Sequence, residues 1–213
     1  MDRHTGYIVR EGFRFIIGLG ILAFALFVFG FKTLAVLVMD AMLFVTFFFR
    51  NPERTIPGDE GVVVSPADGR ILKVEEIQLS GLLDGRFRKV SIFMNVFNVH
   101  VNRAPYSGSV EKIEYHSGKF LSADLDKASA DNEKNVLLIR TKEGKKFLTI
   151  QIAGLIARRI VCWIGEGVEV ARGERFGLIC FGSRLEVVLP LESRVLVQVG
   201  QKVRAGETPI GYL

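Results

Sequence analysis

The chain has 213 residues, 49% of them hydrophobic, with a mean hydropathy of +0.29, a net charge of +5 and a pI of about 9.3. That length holds one ordinary domain plus an appendage, and the apolar excess argues against a wholly water-soluble chain. Two cysteines, Cys162 and Cys180, give neither a disulfide framework nor metal-ligand spacing, and the basic surplus suits in sign an anionic membrane surface or a nucleic acid.

The apolar excess lies at the N-terminus. Residues 15–31 are continuously apolar apart from glycine, Lys32 interrupts, and residues 33–49 form a second run with Asp40 near its middle. Each run is at the short limit for a membrane-spanning helix. Two runs without a small-residue cleavage site argue against a secretory signal. Arg10 and Arg14 precede the pair, Arg50 and Arg54 follow it, and only Lys32 lies between. The bias of basic residues toward the cytoplasm therefore predicts a helical hairpin over residues 1–50 with both ends on the cytoplasmic side of the cell membrane. Asp40 costs about 2.5–3.5 kcal/mol at mid-bilayer, so the hairpin either lets that carboxylate snorkel or dips into one leaflet.

From residue 51 the composition changes. Pro52, Pro57, Gly58 and Asp59 make a linker. Short β-type runs follow at 62–64, 70–77, 89–94, 110–115, 135–140, 147–153, 160–164, 176–181, 185–189, 195–199 and 208–213. Only residues 122–133 carry a helical pattern, with a Ser cap. The expected fold of residues 51–213 is mainly β, a multi-stranded sandwich or barrel-like domain.

One repeat is visible: Gly167-Val168-Glu169-Val170-Ala171-Arg172-Gly173-Glu174 against Gly200-Gln201-Lys202-Val203-Arg204-Ala205-Gly206-Glu207. The pattern resembles the hairpins of biotinyl and lipoyl carrier domains, which display a modified lysine at a hairpin tip. Here the segment between the repeats has no lysine, and the tip candidate is Gly182-Ser183-Arg184. The carrier chemistry is lost and the shape remains, with Ser183 at the tip of a hairpin.

Gly182-Ser183 alone reads as a turn. It also permits chemistry, because glycine tolerates backbone geometry that a Cβ forbids. A serine hydroxyl forced against its preceding carbonyl can attack it, turning the peptide into an ester. Elimination then cuts the chain, and the resulting dehydroalanine loses ammonia to leave a pyruvoyl group. Such a carbonyl forms Schiff bases with amines and acts as an electron sink. Three further segments stand out: Ser65-Pro66-Ala67-Asp68-Gly69-Arg70, the stretch 95–105 in which Asn98, His100 and Asn102 alternate onto one face, and the turn around His116. Taken singly, Asp68 reads as a turn residue, His100 as structural and His116 as solvated.

Taken together and in order, with Tyr115-His116-Ser117-Gly118-Lys119-Phe120-Leu121 and the stretch 175–190, these segments resemble the phosphatidylserine decarboxylase proenzymes, in particular their short bacterial and archaeal form. The resemblance covers residues 50–213. It implies self-cleavage between Gly182 and Ser183, giving chains 1–182 and 183–213 that stay together as a heterodimer. Ser183 would become a covalent pyruvoyl cofactor that decarboxylates membrane phosphatidylserine to phosphatidylethanolamine, or the archaetidyl equivalent in an archaeal host. By the same resemblance Asp68 supports maturation and His100 serves decarboxylation. Larger members carry a second histidine where this chain has Arg103. Activation of Ser183 is thus left to His100, to His116, or to strain at Gly182 with Asp68. Arg184 replaces a small hydroxyl residue and is a candidate for a lipid phosphate or carboxylate; Asn98, Arg158 and Arg159 are further substrate candidates. No metal and no nucleic acid are expected, and a higher oligomer is left open. The other readings are a serine hydrolase, which lacks a Gly-x-Ser-x-Gly elbow here, and a membrane-anchored carrier-like adaptor.

Overall fold

The computed structural model of the chain describes residues 5–124, 131–155, 159–180 and 182–213. It divides into two compact units, Met1–Glu53 and Arg54–Leu213.

The first unit is the helical hairpin, α1 (Arg10–Val28) and α2 (Lys32–Phe48). Gly30, at φ +86°, makes the turn between them. The two ends are tied together: Ile8 bridges Arg50, Asn51 N–H donates to the Tyr7 carbonyl at 2.8 Å, and Asn51 Nδ2 donates to the Gly6 carbonyl at 2.9 Å. Gly12 lies against the Phe49 side chain, where a Cβ would come within 2.7 Å. Among the described residues α1 alone is long and apolar enough to cross a membrane. Large apolar side chains cover both helices on their outer faces, Ile21, Phe24, Leu37 and Leu43 among them. Water offers such a surface no partner, whereas lipid does.

The second unit is mainly β, as the short runs predict. Its strands are β1 (Val62–Val64), β2 (Gly69–Leu79), β3 (Gly85–Met94), β4 (Val101–Arg103), β5 (Gly108–His116), β6 (Lys134–Arg140), β7 (Lys146–Ala153), β8 (Ile160–Cys162), β9 (Glu169–Val170), β10 (Arg175–Ile179), β11 (Ser183–Pro190), β12 (Arg194–Val195), β13 (Lys202–Val203) and β14 (Pro209–Tyr212). A curled eight-stranded sheet runs β13-β2-β3-β11-β7-β6-β5-β9, beside two three-stranded sheets, β1-β14-β12 and β4-β10-β8. The helical pattern of residues 122–133 falls largely on 125–130, outside the described residues.

The large sheet is internally duplicated, more deeply than the repeat in the sequence suggests. Ser65-Pro66-Ala67-Asp68-Gly69 corresponds to Ala104-Pro105-Tyr106-Ser107-Gly108. Each opens a long strand with a register shift at the same place, between Ile71 and Lys73 in β2 and between Val110 and Lys112 in β5. A Cβ on Gly69 would fall 2.1 Å from the Phe93 carbonyl oxygen, and one on Gly108 2.4 Å from that of Arg140, so only glycine fits either position. The two Gly-x-x-Val-x-x-Gly-Glu segments supply β9 and β13, which cap opposite ends of the sheet. Gly173 and Gly206, at φ +79° and +76°, both abut Ile56 of the linker.

Strand β11 lies at the middle of this sheet, between β3 and β7. Its alternation sends Leu185, Val187 and Leu189 into the main core with Val90, Ile92, Met94, Leu137 and Phe147. Val188 joins a second cluster on the opposite face with Val136, Leu138 and Leu148. Burial of each such side chain stabilises the fold by about 1.5–3 kcal/mol.

Candidate active site

Gly182 has φ +64°, in the left-handed region, and nothing lies within 4 Å of where a Cβ would be. Its backbone geometry, rather than crowding, selects glycine. Ser183 follows as the first residue of β11 and is fully buried, opposite Met94 on β3 and Ala153 on β7. The hairpin-tip expectation is corrected here. Strand β10, which precedes Gly182, pairs with β4 and β8 rather than with β11. The chain changes sheets at Gly182, so Ser183 sits inside the domain and not at an exposed tip.

The Ser183 hydroxyl donates to Met94 Sδ at 3.3 Å. A thioether is a weak acceptor and holds a hydroxyl loosely. Met94 is the end of a buried amide chain: Asn135 Nδ2 donates to Gln151 Oε1 at 3.0 Å, Gln151 Nε2 donates to Asn102 Oδ1 at 2.9 Å, and Asn102 Nδ2 lies 3.8 Å from Met94 Sδ. Gly177 makes room for Gln151, since a Cβ there would come 3.0 Å from Gln151 Nε2. Cys162 lies beside Asn135, and burial pushes its thiol above the usual range.

His100 is buried, 2% exposed, and the ladder between β4 and β10 reaches it through Ile179 N–H to the His100 carbonyl at 3.4 Å. Its Nδ1 lies 3.0 Å from the Asn98 carbonyl. A carbonyl only accepts, so Nδ1 carries the proton and the basic lone pair of the neutral ring is on Nε2. The period of the strand puts His100 and Asn102 on one side. Asn98 does not share it, contrary to the alternation expected from sequence. It closes a turn, its Oδ1 accepting from Asn95 N–H at 2.9 Å while Asn95 Oδ1 accepts from Phe97 N–H at 2.9 Å. Two asparagines three residues apart favour their own backbone over an extended run.

Asp68 is engaged by partners of its own. Arg54 Nη2 donates to both its oxygens, at 3.0 and 2.9 Å, and Ala205 N–H donates to Oδ1 at 2.8 Å. The last bond has a twin in the duplicated half, where Arg172 N–H donates to Ser107 Oγ at 2.8 Å. The backbone bond is therefore architecture, and the charge facing Arg54 is what distinguishes Asp68. Arg103, at the position of the missing histidine, donates through Nη1 to the Gly173 carbonyl at 2.7 Å.

Asp68 borders a cavity of about 500 Å³ with Phe93 and Asn95. Those same two residues border a second cavity of about 230 Å³ that reaches Gly182 and Leu155. Phe93 and Asn95 flank Met94 in sequence, so they point to the sheet face opposite Ser183 and His100.

The remaining candidates lie elsewhere. His116 is exposed at the end of β5, 3.6 Å from Glu114. In the cross-strand row His116, Lys134, Ile152, Arg184 it is three strands from β11, roughly 14 Å. The structure does not bring it to Ser183. Arg184 alternates away from Ser183 and is 1% exposed; its Nε lies 2.9 Å from Glu186 Oε1, which also accepts from Ser91 Oγ at 3.0 Å and faces Lys89 at 3.7 Å. Pleating and that carboxylate turn Arg184 into the fold rather than toward a lipid. Arg159 is exposed, as is Leu155; Arg158 lies outside the described residues. Met94 and Gln151 escaped the sequence reading, which took Arg54 only as a charge flanking the hairpin and Asn102 only as a residue on the face of His100. The one signal for Gln151 is a polar residue within an apolar strand run.

The family model for phosphatidylserine decarboxylase matches residues 41–211. The phosphatidylserine decarboxylase proenzyme of Syntrophus aciditrophicus is 57% identical over 210 residues, 98% of this chain and 99% of that protein. Those of Magnetococcus marinus and Geobacter metallireducens are 47% and 48% identical, over 98% and 97% of this chain and 96% of each relative. The match takes in the helical hairpin as well as the β domain, and the chain belongs to the phosphatidylserine decarboxylase family, with the decarboxylase activity of that family.

Proposed function

We propose that the chain cleaves itself between Gly182 and Ser183 and converts membrane phosphatidylserine to phosphatidylethanolamine with a pyruvoyl group made from Ser183. The observation that carries this is the junction itself: a glycine at φ +64° followed by a buried serine whose hydroxyl has a weak sulfur acceptor. In the first step Ser183 Oγ bonds to the Gly182 carbonyl carbon and the C–N bond breaks, leaving an ester and a free amine on residue 183. Loss of the Ser183 Cα proton then breaks the Cβ–Oγ bond and releases Gly182 as a carboxylate. Water enters the resulting enamine, by way of its imine, and ammonia leaves.

The residues present fit that group. Met94 and Ala153 wall the start of β11 against water, and the cavity at Gly182 opens beside the bond to be cut. When formed, the group supplies an electrophile for the substrate amine and a sink for the electron pair left as carbon dioxide departs. His100, with its base on Nε2, is the residue we assign to proton transfer during turnover. Asp68, paired with Arg54, we assign to maturation. Pairing of β11 with both β3 and β7 supports a product whose two chains remain one particle. The hairpin holds it at the membrane, with Arg10, Arg14, Arg50 and Arg54 favouring the cytoplasmic side.

Mass spectrometry of purified protein tests this. Two chains are expected, the smaller beginning at residue 183 with a blocked N-terminus, and Ser183→Ala should give one intact chain without activity. An intact wild-type chain that still makes the amine lipid would overturn the proposal. His100→Ala should cleave yet turn over poorly; full activity in that variant would remove it from the site.

A further inference from the structure

Beyond the cleavage junction, the larger of the two cavities carries an unexplained concentration of positive charge. Its rim holds Arg70 of β2, Lys202 of β13 and Arg204, with Phe97, Asn95 and Asn98 around them. Arg70 and Lys202 are direct cross-strand partners, and like charges in that position repel. Among the described residues neither has a carboxylate partner. Arg204 has only a loose contact with Glu207 at 3.7 Å. The acid in the wall, Asp68, is already matched by Arg54. A fold that sets two cations against each other over a cavity loses stability unless an anion is drawn between them.

Two further features identify the anion. The cavity shares Phe93 and Asn95 with the one at Gly182, and Arg70, Phe93 and Arg184 form one row across β2, β3 and β11. Arg70 therefore stands two strand spacings, roughly 10 Å, from the strand headed by Ser183, on the sheet face away from the Ser183 side chain, where the cavity bordered by Phe93 reaches Gly182. A phosphodiester four bonds from a primary amine fits that separation. Phe97, 64% exposed at the rim, offers an apolar surface where a lipid glycerol and chains would leave.

We propose that Arg70, Lys202 and Arg204 form the subsite for the substrate's phosphodiester, with the guanidinium of Arg70 as a bidentate clamp. The proposal rests on the decarboxylase reading above and assigns its headgroup specificity. The same cations could instead meet the anionic surface of the bilayer, and the test separates the two sources.

Arg70→Ala/Lys202→Ala would be assayed on phosphatidylserine in neutral-lipid vesicles and on water-soluble glycerophosphoserine without vesicles. A control pair, Arg86→Ala/Lys112→Ala, removes the same charge elsewhere on the domain. The subsite predicts normal cleavage into two chains and a KM raised tenfold or more on both substrates, as expected for lost charge-assisted hydrogen bonds. The control stays near wild type, and Lys202→Arg, which keeps both the charge and the Arg70 guanidinium, stays near wild type as well. An effect confined to vesicles, or equal effects in the two alanine pairs, would overturn the subsite. A wild-type protein that neither cleaves nor decarboxylates would instead sink the parent reading.

Discussion

Removing the Glu186 carboxylate tests whether Arg184 belongs to the fold or to the lipid. Arg184 and Glu186 are 1% and 3% exposed, and Glu186 gathers Arg184, Ser91 and Lys89 around one oxygen. Breaking a buried pair by deleting one partner costs about 3–5 kcal/mol, much of it the penalty on the charge left behind. Lys89 keeps Glu75 at 3.1 Å, so the loss centres on Arg184. For a β domain of this size each kcal/mol lowers the melting temperature by about 2–4 °C. Glu186→Ala should therefore melt roughly 6–20 °C below wild type. Replacing the cluster together, Arg184→Met/Glu186→Met/Ser91→Ala, removes the charges and the stranded hydroxyl at once, and should recover most of that loss. Thermal unfolding followed by circular dichroism in detergent reads both variants. The KM for phosphatidylserine should stay near wild type in the triple variant. A drop of under about 2 °C in Glu186→Ala, which on this scale is under about 1 kcal/mol, would refute the reasoning. So would a triple variant that folds well but binds lipid poorly.

The duplicated turn gives a matched pair of substitutions. Asp68→Asn keeps an acceptor for Ala205 N–H but loses the charge toward Arg54; cleavage should slow at least tenfold while the fold persists, as gel analysis against time will show. Ser107→Ala, its twin, should lose about 1 kcal/mol on a denaturant curve and cleave normally. After cleavage the 183–213 chain should stay attached in buffer and separate only in denaturant. Its Leu185, Val187, Val188, Leu189, Val197, Val203 and Ile210 are all buried, which at the usual scale represents roughly 10–20 kcal/mol of apolar contact; gel filtration in detergent checks this. Burial raises the Cys162 thiol. Because the unfolded chain loses that proton first as pH rises, Cys162 should contribute stability at neutral pH that declines above the ordinary thiol range. It should also react slowly with a thiol reagent until the protein unfolds.

Local chemistry made the hairpin and the β domain readable. Residues 15–31 and 33–49 are too apolar all round for a small soluble core, and alternation through residues 110–115 or 147–153 needs no neighbour to be recognised. Gly182-Ser183 alone reads as a turn; the ordered segments that resemble the phosphatidylserine decarboxylase proenzymes single it out as the junction. One misplacement comes from strand pairing between distant segments, and two come from side-chain bonds to near neighbours. Ser183 could not be placed inside a sheet before β10 was known to pair with β4 and β8. Asn98 left its extended run for a bond to Asn95, and Arg184 was claimed by Glu186 two residues on because pleating sets both on one face.

By itself, then, the order of residues determined the apolar helical hairpin, the mainly β class of residues 51–213 and, through the resemblance that its segments carry, the bond at which the chain is proposed to break. Periodicity and the chemistry of adjacent residues are local properties that survive without a fold. The partner of Asp68, the amide chain that ends at Met94, and the meeting of Arg70 with Lys202 across two strands were decided only in three dimensions. Each depends on segments separated by many residues being brought into hydrogen-bond or cross-strand range, and register, not composition, settles which side chains then face one another.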